Sequence, residues 1–138
     1  MPMIQISFAP GPTTAPEVEP RLAREAARLA QEWLGKDPAL TSVAVQRFEP
    51  GSWYSGGASL AAQGLAGFWL DIRVTEGTNT KGEKAGFIAA TFAAAGEILG
   101  PLHTESYVHV FEARADAYGY GGRTQERRYI EARPAPAV

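Results

Sequence analysis

The residue best suited to do chemistry in this 138-residue chain is its second, Pro2. An initiator methionine is normally removed before proline, and the new terminus is then a secondary amine rather than an amide. An α-amino group ionises near pH ~8, and desolvation moves that value towards neutrality. A secondary amine in an apolar pocket is therefore a general base at cellular pH that needs no metal or cofactor. Met-Pro is also simply a common start, so the dipeptide alone leaves both readings open.

The remaining chemical inventory is thin. There is no cysteine, which excludes a disulfide scaffold, a thiol nucleophile and a Cys-ligated metal site. His103 and His109 are the only histidines, and neither stands at a zinc-ligand spacing with a carboxylate. No nucleophile elbow, P-loop or dinucleotide fingerprint is present. Gly119 to Gly122 superficially suggests a phosphate loop, but no lysine follows and the strand–helix context is missing, so a β-turn is the stronger reading. Thirteen Lys and Arg against fifteen Asp and Glu give a net charge of −2, against a nucleic-acid footprint. No apolar run approaches the ~18 to 20 residues that span a bilayer, and the N-terminus lacks a secretory pattern, so a soluble cytoplasmic protein without membrane or nucleic-acid partners is expected.

The elements that must position Pro2 follow a repeat. Gly11 and Gly77 each close an apolar run and lie 66 residues apart (77 − 11); Gly57 and Gly122 end double glycines 65 apart (122 − 57). Met3 to Phe8 alternates with the period of a half-buried strand, with Ile4, Ile6 and Phe8 on one face. Val18, Leu22, Ala26, Leu29 and Trp33 then form one helical stripe, Pro16 and Pro20 suit its first turn, and Gly35 its end. Ser42 to Phe48 reads as a second strand. In the second half, Phe68 to Thr75 reads as a strand. Thr78, Asn79 and Thr80 offer helix caps. A helix from about Gly82 to Leu99 has Ala85, Ile88, Ala89, Phe92 and Leu99 as its expected buried stripe, and Tyr107 to Glu112 reads as the fourth strand.

The expected fold is therefore α+β: a tandem β-α-β repeat forming a four-stranded mixed sheet with two helices on one face. One domain over 1–138 is expected, with repeats at about 2–62 and 66–130 and a C-terminal tail at 131–138 that frays from Arg133. The bare sheet face should be apolar enough to require a covering oligomer.

The Met1–Pro2 start with its alternating strand, Leu40 to Val43 entering the second strand, Glu76–Gly77 after the third and Tyr118 to Gly122 after the fourth resemble the tautomerase superfamily. Its members include 4-oxalocrotonate tautomerase and cis-3-chloroacrylic acid dehalogenase. The resemblance spans Pro2 to about Arg128, and the fused-repeat length is most like the dehalogenase branch. It implies a cofactor-free homotrimer in which Pro2 is catalytic. Phe68 stands where a second proline would align, leaving one proline site per protomer. The places where relatives carry carboxylate-binding arginines hold Pro12, Ala44, Thr75, Thr78 and Tyr107. The dehalogenase branch's first-helix histidine is also absent, with Glu32 and Trp33 in that region.

Several residues can substitute in the implied site. Arg73 shares a strand face with Asp71 and either binds substrate or pairs with that carboxylate. His109 occupies the place of a water-activating tyrosine and acts either there or structurally. Tyr118 and Trp53 precede the double glycines and either wall the proline pocket or pack a subunit seam; Tyr107 is a further substrate-binding candidate. Arg114 and Arg123 are loop candidates for an anion contact, whereas Arg127 and Arg128 read as a solvated or interface pair. The implied activity is a cofactor-independent tautomerase or isomerase of a small keto-enol or unsaturated carboxylic acid. The alternatives are a hydratase or hydrolytic dehalogenase of a haloacrylate-like acid, or a non-catalytic trimer with a blocked proline.

Overall fold

The computed structural model describes residues 1–134. Its centre is a four-stranded sheet in the order β2-β1-β5-β6, formed by β1 (Met3–Ala9), β2 (Ser42–Arg47), β5 (Gly67–Thr75) and β6 (Tyr107–Ala113). β1 runs parallel to β2 and β5 parallel to β6, while β1 and β5 are antiparallel, so the sheet is mixed. The parallel pairs need long crossovers, supplied by α1 (Glu19–Leu34) and α3 (Lys81–Leu99). Both helices contribute to one core against Ile4, Ile6 and Phe8 of β1 and Phe68, Leu70, Ile72 and Val74 of β5. This is the α+β arrangement expected from the alternation and the helical spacing.

Local chemistry sets the helix ends. Pro20 lies in the first turn of α1, and Gly35 at φ 68° closes it, a left-handed conformation that favours glycine. Thr80 and Glu83 form a reciprocal capping box at the start of α3. Each half also carries a short hairpin and a following helix that the periodicity did not disclose. These are β3 (Tyr54–Ser55) and β4 (Ala58–Ser59) with α2 (Leu60–Gln63), then β7 (Gly119–Tyr120) and β8 (Arg123–Thr124) with α4 (Gln125–Ala132). Gly121 and Gly122 have φ 60° and 80°, the paired positive values of a tight hairpin turn, which removes the phosphate-loop reading of this segment. Helix α4 takes in Glu131 and Ala132 at the start of the expected tail and ends before Arg133; residues 135–138 lie outside the described residues.

Three expectations about faces are corrected. The buried stripe of α3 is Phe87, Thr91, Ala95, Ile98 and Leu99; Ala85, Ile88 and Ala89 are exposed. With Ala and Gly on nearly every face, composition could not choose the inward one. In α1, Leu34 is buried and Trp33 is exposed, with one edge of its indole against Gly86 of α3. The bare sheet face is not uniformly apolar either. Register places Ser42, Met3, Arg73 and Phe111 in one row across it, Ala44, Gln5, Asp71 and His109 in the next, and Gln46, Ser7, Trp69 and Tyr107 in a third. Its β1–β2 half is mainly polar, and the exposed aromatics cluster on β5 and β6.

Candidate active site

Strand β1 begins at Met3, so Pro2 sits at the open end of the sheet, where its carbonyl accepts from the Ser42 N–H at 3.0 Å. Pro2 is fully buried. With Met1 attached its nitrogen is an amide, and the terminal ammonium of Met1 donates to the Leu40 carbonyl. Burial holds that ammonium below its ordinary pKa of 8.0; Asp37 pulls it up, while Lys36 and Arg128 push it further down.

A cavity of about 420 Å³ opens beside Pro2. Met1 and Pro2 line it ahead of β1, Met3 and Gln5 from β1, Leu40 and Ser42 at the start of β2, Arg73 from β5, and Tyr118 to Tyr120 at the second hairpin. The volume suits a small organic ligand. Tyr118 is the brace. Its hydroxyl accepts from the Met3 N–H at 3.3 Å and donates to the Arg73 carbonyl at 3.0 Å. Burial raises the Tyr118 pKa above 10.0, with the Met3 hydrogen bond and the Arg73 charge opposing it.

Thus Pro2, Arg73 and Tyr118 are brought together, although they are distant in sequence. Arg73 makes no ion pair with Asp71 among the described residues; its guanidinium lies 5.6 Å from the Phe111 ring centroid. The Asp71 Oδ1 is buried without a partner. His109 and Tyr107 stand on the exposed sheet face outside the cavity, His109 edge-on to Phe111 and Tyr107 against Trp69. Trp53 packs on Phe48 beside the first hairpin. Arg114 is bound by both oxygens of Asp116, and Arg123 pairs with Glu131. None of these five residues lines the Pro2 cavity. The lining that sequence reasoning missed includes Met3, Gln5, Leu40, Ser42 and Tyr120. Strand alternation marks Gln5 and Ser42, since both share a sheet face with Met3.

The sequence matches no family model, and no match is found among curated proteins. Solved structures do resemble it. Pt0534 inactivated by 2-oxo-3-pentynoate aligns with TM-score 0.76 and 19% identity over 91% of this chain and 98% of its own. A symmetric trimer of fused 4-OT aligns with TM-score 0.74 and 16% identity over 90% and 96%. A macrophage migration inhibitory factor-like protein from Entamoeba histolytica gives TM-score 0.72 and 19% identity over 89% and 97%. The chain has the tautomerase fold. Within the tautomerase fold, the cavity here lies at the start of the first strand and is closed by the hairpin of the second half.

Proposed function

We propose that this tautomerase-fold protein is a cofactor-independent tautomerase of a small keto-enol or unsaturated carboxylic acid, acting through the amine of Pro2 once Met1 is removed. The observation that carries the reading is the single cavity shared by Pro2, Arg73 and Tyr118. The free amine takes the proton from the enol oxygen. As that oxygen's electron pair closes the carbonyl, the pair of the C=C bond takes the proton back from the Pro2 ammonium at carbon, giving the keto acid and regenerating the amine. Arg73 holds the substrate carboxylate by charge-assisted hydrogen bonds. Tyr118, whose hydroxyl is committed to the Arg73 carbonyl, walls the cavity and keeps water from the amine.

The same reading makes the protein a cytoplasmic homotrimer. The likeness to a trimeric fused 4-OT and the exposed aromatic cluster on β5 and β6 support a covered sheet face. No helix among the described residues is long and apolar enough to cross a membrane. The hydratase and dehalogenase alternatives draw no support from the cavity, because His109, their water-activating residue, lies outside it.

The test is an activity panel of enol acids on protein shown by intact mass to begin at Pro2, together with treatment by 2-oxo-3-pentynoate. Turnover, and an added mass of one reagent molecule on the N-terminal peptide, are expected. Neither turnover nor labelling on verified Pro2-terminal protein would remove the reading.

A further inference from the structure

Charge is unevenly placed around the Pro2 cavity. Among the described residues that line it, Arg73 on β5 carries the one charged side chain. Met3 is the register partner of Arg73 on one side and of Ser42 on the other, so these two flank it across the bare sheet face. Neighbouring strands lie ~4.8 Å apart, which puts the Arg73 and Ser42 backbones roughly 10 Å from each other. Gln5 follows two residues after Met3 on the same face. Ala44, its partner on β2, adds no charge. A ligand that is held at Arg73 and fills the cavity extends over Met3 to a wall without a charged side chain.

That wall is polar all the same. Gln5 and Ser42 are both exposed and both line the cavity. Ser42 is fixed through its backbone N–H, which donates to the Pro2 carbonyl at 3.0 Å and leaves the hydroxyl for other partners. The Tyr118 hydroxyl is not free in the same way, because the Met3 N–H and the Arg73 carbonyl already engage it. Just ahead of β2, the Leu40 carbonyl accepts from the Met1 ammonium and loses that donor when Met1 is removed. The β2 side thus offers two neutral groups that both donate and accept, and one freed acceptor. A carboxylate placed there would give up hydration without meeting a compensating charge, which is costly. A carboxamide is matched: its oxygen accepts from Gln5 or Ser42, and its N–H groups donate to the Leu40 carbonyl.

We propose that Gln5 and Ser42 make the β2 side of the Pro2 cavity a subsite for a neutral hydrogen-bonding group, so that the ligand is a monocarboxylic acid with a carboxamide at its far end. This deepens the proposed function and rests on reading that cavity as the substrate site. Arg73 sets the end that carries the charge, and Gln5 and Ser42 select what stands at the other.

Glutaramate, glutarate and 5-methylhexanoate share a carboxylate and a three-methylene chain. They differ at the far end, which is a carboxamide, a second carboxylate, and an apolar group of the amide's shape. Their binding to the full chain, shown by intact mass to begin at Pro2, is measured by protein-observed NMR, which needs no turnover. Glutaramate should bind tightest. Gln5→Met keeps a long side chain and Ser42→Ala removes only the hydroxyl; each should weaken glutaramate roughly two- to tenfold and leave 5-methylhexanoate unchanged. Gln5→Lys supplies the missing cation and should reverse the order in favour of glutarate. Three outcomes overturn the proposal: glutarate binding tightest to the wild-type chain, a preference indifferent to both residues, or no saturable binding of any of the three acids. Glutaramate selectivity on protein that turns over no enol acid would sink the tautomerase reading and leave this one standing. Turnover of enol acids together with a preference for glutarate would do the reverse.

Discussion

The Tyr118 hydroxyl donates to the carbonyl of Arg73 at 3.0 Å while accepting from the N–H of Met3. Met3 and Arg73 are register partners at the end of the β1–β5 ladder, so one side chain from the far hairpin bridges the last rung. Pro2 is bonded to Met3 and the Arg73 side chain leaves the opposite strand. Their separation is therefore set by a tyrosine 45 residues beyond Arg73.

Replacing Tyr118 by phenylalanine keeps the ring as a wall and deletes both hydrogen bonds. At about 0.5 to 1.5 kcal/mol each, Tyr118→Phe should lower unfolding free energy by roughly 1 to 3 kcal/mol. Denaturant titration measures this, and an unchanged midpoint would show that the bridge carries no weight.

The same hydroxyl predicts behaviour in alkali. Burial raises its folded pKa above 10.0. Its contribution to stability is thus complete below pH 10.0 and is lost as pH rises through the folded value, since the unfolded chain gives up the proton first. Stability should fall more steeply above that pH in the wild type than in Tyr118→Phe. Parallel curves would contradict the assignment.

At the other end of the scale stands the Met1 amine, held below 8.0 mainly by burial. Between its folded value and 8.0 the unfolded chain binds a proton that the folded chain has released, so stability rises with pH across that window and levels off above it. Acetylating the Met1 terminus should abolish this slope. Comparing unfolding free energies of free and acetylated chains over that range checks it.

Gly86 predicts a packing effect. A Cβ there would lie 2.4 Å from two ring atoms of Trp33, closer than any real contact. Gly86→Ala should cost about 1 to 3 kcal/mol despite the better helix propensity of alanine. In a Trp33→Leu background the same change should cost much less, and a calorimetric double-mutant cycle reads the difference.

For Arg73, removal of the guanidinium should act on substrate more than on the fold. Its recorded partner is the Phe111 ring, a contact of about 0.5 to 1 kcal/mol at an exposed site. Arg73→Ala should raise KM roughly ten- to a hundred-fold, with a smaller change in kcat and partial recovery in Arg73→Lys. Steady-state kinetics beside a melting curve separates the two effects.

Much of the architecture was legible in the residues themselves. Ile4, Ile6 and Phe8, and Phe68, Leu70, Ile72 and Val74, alternate with period two, and a strand with one wet face can satisfy that pattern in only one orientation. Leu22, Ala26 and Leu29 fall on one stripe among charges, so α1 had a single inward face. The double glycines marked two turns, because glycine adopts successive positive φ values at no steric cost, but not the short hairpins those turns close. Pro2 stood out by its chemistry and its place beside the first strand.

Only the tertiary structure decided which surfaces meet. Ala85 and Phe87 are both apolar, yet Phe87 is buried and Ala85 exposed, with Trp33 of α1 against Gly86 between them. Arg114, Arg123 and Arg128 are alike as sequence; Asp116 and Glu131 claim the first two, while the turn at Gly121 brings Tyr120 beneath the third. Hydrophobic periodicity is a property of one element and survives in its spacing. The partner of a charge, and the inward face of a helix apolar all round, depend on distances between elements that no single segment encodes.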